Sequence, residues 1–201
     1  MVSGPSDPST PIPVKIVVAG GFAVGKTTFV GSISEIQPLT AEAAMTSHSI
    51  GVDPVGVATT KTSTTVAMDF GRVRLGPDLM LYLFGTPGQD RFHFLWDELV
   101  RGAIGAVVLV DSGRLEDCFP VVDYMERAGL PFVVAVNAFE DHLRHHPDEV
   151  REALDVPPSV PLLVTDARQR AATRDVLVAL VRHAVALVAS STDPQAVTLG
   201  D

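Results

Sequence analysis

Cysteine occurs once in the 201 residues, at Cys118, so no disulfide can form within the chain and the fold rests on its own apolar core. Basic residues are also scarce: 15 Lys and Arg stand against 24 Asp and Glu, a formal net charge of −9. With no basic stripe to neutralise a phosphate backbone, a nucleic-acid partner is not expected. The chain also lacks an apolar run long enough to span a bilayer. The stretch from Val176 to Ala189 is too short, carries Arg182 and His183 in its middle, and reads as a buried helix. The N-terminus shows no succession of basic, apolar and cleavage-site segments, and no cysteine stands near the C-terminus for prenylation. These absences point to a cytoplasmic protein without a transmembrane segment or lipid anchor, peripheral to a membrane only through partners.

What the chain has is the length of one domain and a regular alternation of elements. Residues 1–13, rich in proline, read as a flexible arm, residues 14–190 as the folded domain, and 191–201 as a loose tail. Apolar runs at Val14 to Ala19, Leu79 to Phe84, Ile104 to Val110, Phe132 to Val136 and Pro161 to Val164 are apolar nearly throughout, as strands covered on both faces are. Thr65 to Val73 reads as an extra strand of edge type. Helical patterns lie between them, at Lys26 to Ile36, Arg91 to Arg101, Leu115 to Ala128, Asp148 to Leu154 and Arg168 to Ala189. The pattern predicts an α/β fold, a doubly wound and mostly parallel sheet with helices on both faces, whose ligands sit at the carboxyl ends of the strands.

Directly after the first strand run stands G-G-F-A-V-G-K-T-T, residues Gly20, Gly21, Phe22, Ala23, Val24, Gly25, Lys26, Thr27 and Thr28. It meets the pattern G-x-x-x-x-G-K-[ST] between a strand and a helix, the context a P-loop NTPase requires. Gly25 allows the turn that points successive N–H groups at a polyphosphate, and the start of the following helix adds its positive end. Lys26 then reaches the outer phosphates, and the Thr27 hydroxyl suits one place around Mg²⁺.

After the next apolar strand comes Gly85-Thr86-Pro87-Gly88-Gln89-Asp90-Arg91, and after Val136 comes Asn137-Ala138-Phe139-Glu140-Asp141. Phosphate loop, Thr-rich stretch, T-P-G-Q and this Asn follow one another in the order found in Ras-like small GTPases. Within that superfamily the chain is similar to the bacterial MglA-type GTPases, and it resembles more closely the GTPase-like component of actinomycete conservon operons, from Val14 to about Val188. The resemblance implies GTP and GDP as ligands with Mg²⁺. It implies Thr65 as the threonine that binds Mg²⁺ and senses the γ-phosphate, although Thr59, Thr60, Thr62 and Thr64 compete for that role. It implies Gly88 as an N–H donor to the γ-phosphate and Gln89 as the group that orients the attacking water, so that Gln89 and Lys26, which reaches the outer phosphates, are the candidate catalytic residues. Asn137 with Glu140 or Asp141 would read the guanine edge, and Thr165-Asp166-Ala167-Arg168 looks like the S-A-K loop, with the Ala167 N–H near the guanine carbonyl oxygen. Its implied partners are a roadblock-type protein and a sensor-kinase-like membrane protein.

Three positions depart from the family pattern. Ala138 replaces the lysine of N-K-x-D, Gly85 stands where the D-x-x-G acid is usual, and Phe22 occupies a phosphate-loop position where the fastest relatives keep glycine. Slow hydrolysis follows as an expectation, because a ring at Phe22 crowds the γ-phosphate or an incoming arginine. A nucleotide-bound scaffold that does not hydrolyse and an ATP-specific P-loop protein remain as alternatives. The long polar connection from Pro38 to Thr64 reads as the first switch. His142, His145 and His146 read as a solvated surface rather than a metal site, Cys118 as a small buried hydrophobe, and Phe92, Phe94 and Trp96 as helix packing or a partner surface.

Overall fold

The computed structural model describes residues 10–37, 39–45, 64–88, 95–138 and 143–192. Seven strands form one sheet in the order β2-β3-β4-β1-β5-β6-β7. The nearly all-apolar runs became its parallel strands: β1 (Ile12–Gly20), β4 (Leu79–Gly85), β5 (Ala103–Val110), β6 (Phe132–Asn137) and β7 (Leu162–Thr165). β2 (Leu39–Met45) and β3 (Thr64–Leu75) run antiparallel at one side. Successive residues of β1 face opposite layers, so Ile16 and Val18 join the core under α1 (Lys26–Ile33) and α5 (Arg170–Thr192), whereas Val17 and Ala19 join the other core. That second layer is made by α2 (Trp96–Val100), α3 (Phe119–Arg127) and α4 (Pro147–Ala153). The expected mostly parallel α/β sheet, flanked by helices on both faces, is the observed one.

Four of the differences from the expected elements have a clear local reason. β1 begins at Ile12 rather than Val14, because the Ile12 N–H donates to the Asp78 carbonyl at 2.7 Å and continues the ladder with β4. α1 ends at Ile33 rather than Ile36, where Ser34 turns extended and its Oγ accepts the amides of both Ile36 and Arg72 at 3.2 Å. The helix expected from Leu115 to Ala128 divides into a 3₁₀ turn at Leu115–Asp117 and α3, because Pro120 lacks an N–H and suits only the first turn of a helix. β2 falls inside the segment read as a polar connection, and Thr65 to Val73 is therefore covered at its outer side. The alanine- and glutamate-containing sequence of β2 carries little strand propensity, and pairing from Leu39↔Phe70 to Met45↔Thr64 imposes it. Residues 1–9, 46–63 and 193–201, with Thr59, Thr60 and Thr62, lie outside the described residues.

Candidate nucleotide site

β1 delivers the chain to Gly20, where the backbone φ of +144° and the contact a Cβ would make with the Leu109 carbonyl both demand glycine. The loop then passes Ala23 and Gly25 at positive φ, 58° and 104°. α1 starts at Lys26 with no side-chain cap and no acid in its first turn, so its leading amides face the cavity without an internal competitor. Val24 is buried and anchors the loop in the core. The cavity in front of the loop measures about 510 Å³ and is lined by Phe22, Lys26, Thr27, Asp69, Thr86 and Gly88, among others.

Lys26 is only 8% exposed, and its Nζ donates to the carbonyls of Gly20 at 2.9 Å and Gly21 at 2.6 Å. Burial lowers its pKa from 10.5 to about 8, partly offset by the Asp69 carboxylate. Thr27 Oγ1 donates to Asp69 Oδ2 at 2.6 Å. Gly88 closes the far wall: a Cβ there would lie 2.8 Å from Lys26 Nζ and 3.1 Å from the Phe22 Cα. Thr86, 3% exposed, carries a buried hydroxyl without a hydrogen-bond partner. Phe22 is 61% exposed at the mouth.

At the ends of β6 and β7, Asn137 is buried and ties the phosphate loop to the segment after β7. Its Nδ2 donates to the Val24 carbonyl at 2.9 Å, and its Oδ1 accepts the Ala167 N–H at 3.0 Å. The Ala167 N–H, expected near a guanine carbonyl, is thus engaged by Asn137. Asp166 is held by Arg168, whose Nε and Nη2 donate to it at 2.9 and 2.8 Å, and by the Arg168 amide at 2.9 Å. Those contacts keep its carboxyl well below the usual range. Gly21 packs against Asp117, and burial pushes the neighbouring Cys118 thiol up to about 11, which makes it an inert part of the core.

Lys26, Thr27, Thr86 and Gly88 are brought together around the cavity; Asn137, Asp166, Ala167 and Arg168 form a separate cluster joined to the loop through Val24. Thr65 is not brought to Thr27: it pairs with Ala44 in β3, four residues and about 13 Å along the strand from Asp69. Gln89, Glu140, Asp141, His142, Phe92 and Phe94 lie outside the described residues. His146 caps α4, its Nδ1 accepting the Asp148 amide at 3.3 Å, and no group of three or more His, Cys, Asp or Glu suited to a metal occurs among the described residues. Sequence reasoning gave Asp69 no role. Its signal was the exchange of the usual acid for glycine at Gly85, next to an acid one strand away.

A family model described as "Conserved hypothetical ATP binding protein" matches residues 18–187. The chain belongs to that family. An uncharacterized protein of Methanocaldococcus jannaschii, MJ1339, is similar to this chain at 29% identity over 62% of this chain and 69% of its own. Among solved structures, the cytosolic domain of the T. maritima FeoB iron transporter in apo form superposes with a TM-score of 0.62 at 16% identity, covering 86% of this chain. The chain spans only 64% of that domain's length. Its G domain alone gives 0.61 at 17% identity, over 86% of this chain and 99% of that one. The Arl6 BBS3 small GTPase from Trypanosoma brucei, solved with GppNp, gives 0.62 at 16% identity, over 87% and 99%. The chain therefore has a P-loop NTPase fold, and its structural neighbours include a small GTPase. Among the described residues, no helix is long and apolar enough to cross a membrane.

Proposed function

We propose that this chain is a guanine-nucleotide switch that binds GTP or GDP with Mg²⁺ and hydrolyses GTP slowly. The observation that carries the reading is the closure of the Thr86-Pro87-Gly88 turn onto the phosphate-loop lysine. A γ-phosphate that reaches Lys26 in this cavity meets Gly88 on its far wall, so its arrival is converted into movement at the end of β4. Lys26 and the α1 amides hold the phosphates, and Thr27 offers Mg²⁺ an oxygen. Gln89 orients water, and Glu140 or Asp141, three and four residues after Asn137 in the sequence, accepts the guanine N–H groups. Phe22 stands where an arginine would approach, which keeps the unassisted rate low. The roadblock-type and sensor-kinase-like partners belong to this reading through the resemblance.

The family description and the exchange of lysine for Ala138 favour a second reading, an ATP-specific protein. Calorimetry with Mg²⁺ and GDP or ADP, side by side, separates the two. GDP is expected to bind on the order of 100-fold tighter or more, since a site that accepts specific N–H donors rejects a base lacking them. Tighter ADP binding overturns the guanine reading, and a Lys26→Ala variant that binds as well as the native chain overturns both. Single-turnover GTP hydrolysis should run well below about 1 s⁻¹ and fall further in Gln89→Ala. Equal rates in the two would leave a scaffold.

A further inference from the structure

We propose that Asp69, on β3, is the carboxylate that orients Thr27 toward the nucleotide-bound divalent cation, and that it stands in for the acid missing at Gly85. The inference rests on the proposed Mg²⁺-nucleotide reading and adds to it a residue which that reading does not contain.

Asp69 follows in antiparallel register from the pair Phe70↔Phe84, which sets it beside Gly85. A Cβ on Gly85 would lie 3.1 Å from the Asp69 Cβ and 3.2 Å from Oδ2. The space into which a side chain at 85 would grow is therefore filled by the Asp69 carboxylate. An acid on both strands would not fit, and the chain carries it on the neighbouring one. Gly85 itself needs no positive φ, so its lack of a side chain is accounted for by this contact.

The chemistry of the donors suits a hard cation. Mg²⁺ takes oxygen ligands and is held by one or two protein oxygens, substrate phosphates and water rather than by a dedicated protein cage. A cluster of three or more potential ligands is accordingly not needed, and none occurs among the described residues. Thr27 Oγ1 follows the phosphate-loop lysine and faces the cavity, and the partnerless Thr86 hydroxyl lies in the same lining. When the Thr27 oxygen turns a lone pair to the cation, its proton needs an acceptor. Asp69 Oδ2, at 2.6 Å, is that acceptor. Partners of this kind fix the direction of a ligand and raise its basicity. Asp69 is thus a positioning residue, acting through Thr27.

The test measures GDP affinity in excess Mg²⁺ and in EDTA, together with Mn²⁺ affinity of the GDP complex by electron paramagnetic resonance. The native chain should bind GDP more tightly with Mg²⁺. Asp69→Asn should lose about tenfold or more in Mn²⁺ affinity and most of the Mg²⁺ enhancement, the usual scale for removing such a partner. In EDTA the same variant should bind GDP as tightly as the native chain or severalfold tighter, because a negative charge beside the phosphates is gone. The reciprocal exchange, Asp69→Gly with Gly85→Asp, should restore the metal dependence on the other strand. Native-like Mn²⁺ affinity in Asp69→Asn, or an equal loss with and without metal, overturns the proposal, whether or not the exchange variant folds. Absence of GDP binding by the native chain under both conditions instead overturns the nucleotide reading beneath it.

Discussion

Lys26 joins the phosphate cage to proton chemistry, because burial places its pKa near 8 in the free protein while an exposed lysine stays at 10.5. A bound polyphosphate favours the ammonium and raises that value again. Between the two, nucleotide binding takes up a proton. The sign follows directly: affinity is full below pH 8 and falls as pH rises through it, by up to about one log unit per pH unit. Calorimetry at pH 8.5 in two buffers of different ionisation enthalpy should show a fractional proton taken up per nucleotide. Lys26→Arg should remove it, since the guanidinium does not titrate there. No uptake in the native chain, or uptake that persists in Lys26→Arg, contradicts this account. The same burial explains what a reading of residue types leaves out. The pattern G-x-x-x-x-G-K-[ST] announces the lysine, but neither its desolvation nor its contact with the opposite turn is encoded within the motif.

Elements set the reach of the site through close packing of α1 on β3. A Cβ on Gly71 would come within 2.6 Å of Val30 Cγ1 and 3.2 Å of the Ser34 Cβ, at the end of the helix that opens with Lys26. Gly71→Ala should force α1 outward and cost about 1–3 kcal/mol, the scale for overpacking a core. For a chain of this size that is a fall in melting temperature of roughly 2–12 °C. Thermal and urea unfolding check it, and stability unchanged from the native chain rules out the contact as a constraint. The strands at the sheet centre were legible because β1, β5 and β6 are apolar on both faces, which only a covered parallel sheet tolerates. β2 was not, because a strand made of Leu39, Thr40, Glu42 and alanines owes its state to the partner beside it. Asp69 was missed for a related reason: glycine at position 85 signals a displaced acid, but which acid takes its place lies in the register of β3 against β4, which no local pattern records.

Across the whole molecule, the middle of β3 and the turn after β4 converge on the phosphate loop from the same side of the sheet. Asp69 arrives on β3 and touches Thr27; Gly88 follows β4 and lies against Lys26. The other side of the sheet is different in kind. Asn137 ends β6 and Ala167 follows β7, and the bonds from Ala167 to Asn137 and from Asn137 to Val24 tie these strand ends to the phosphate loop without reference to the γ-phosphate. A diphosphate and a triphosphate should therefore differ in their effect on one half of the molecule only. Hydrogen exchange with GDP or a non-hydrolysable GTP analogue, both with Mg²⁺, tests this division. Amides at 64–69 and those of Thr86 and Gly88 should exchange more slowly with the triphosphate analogue, because its outer phosphate gives both segments a charged partner. Those of β5 and β6, enclosed between the two cores, should be the same in both states. Equal protection of Thr86 and Gly88 in the two complexes would mean that the turn over Lys26 does not sense the γ-phosphate, and the molecule would then bind nucleotide without switching.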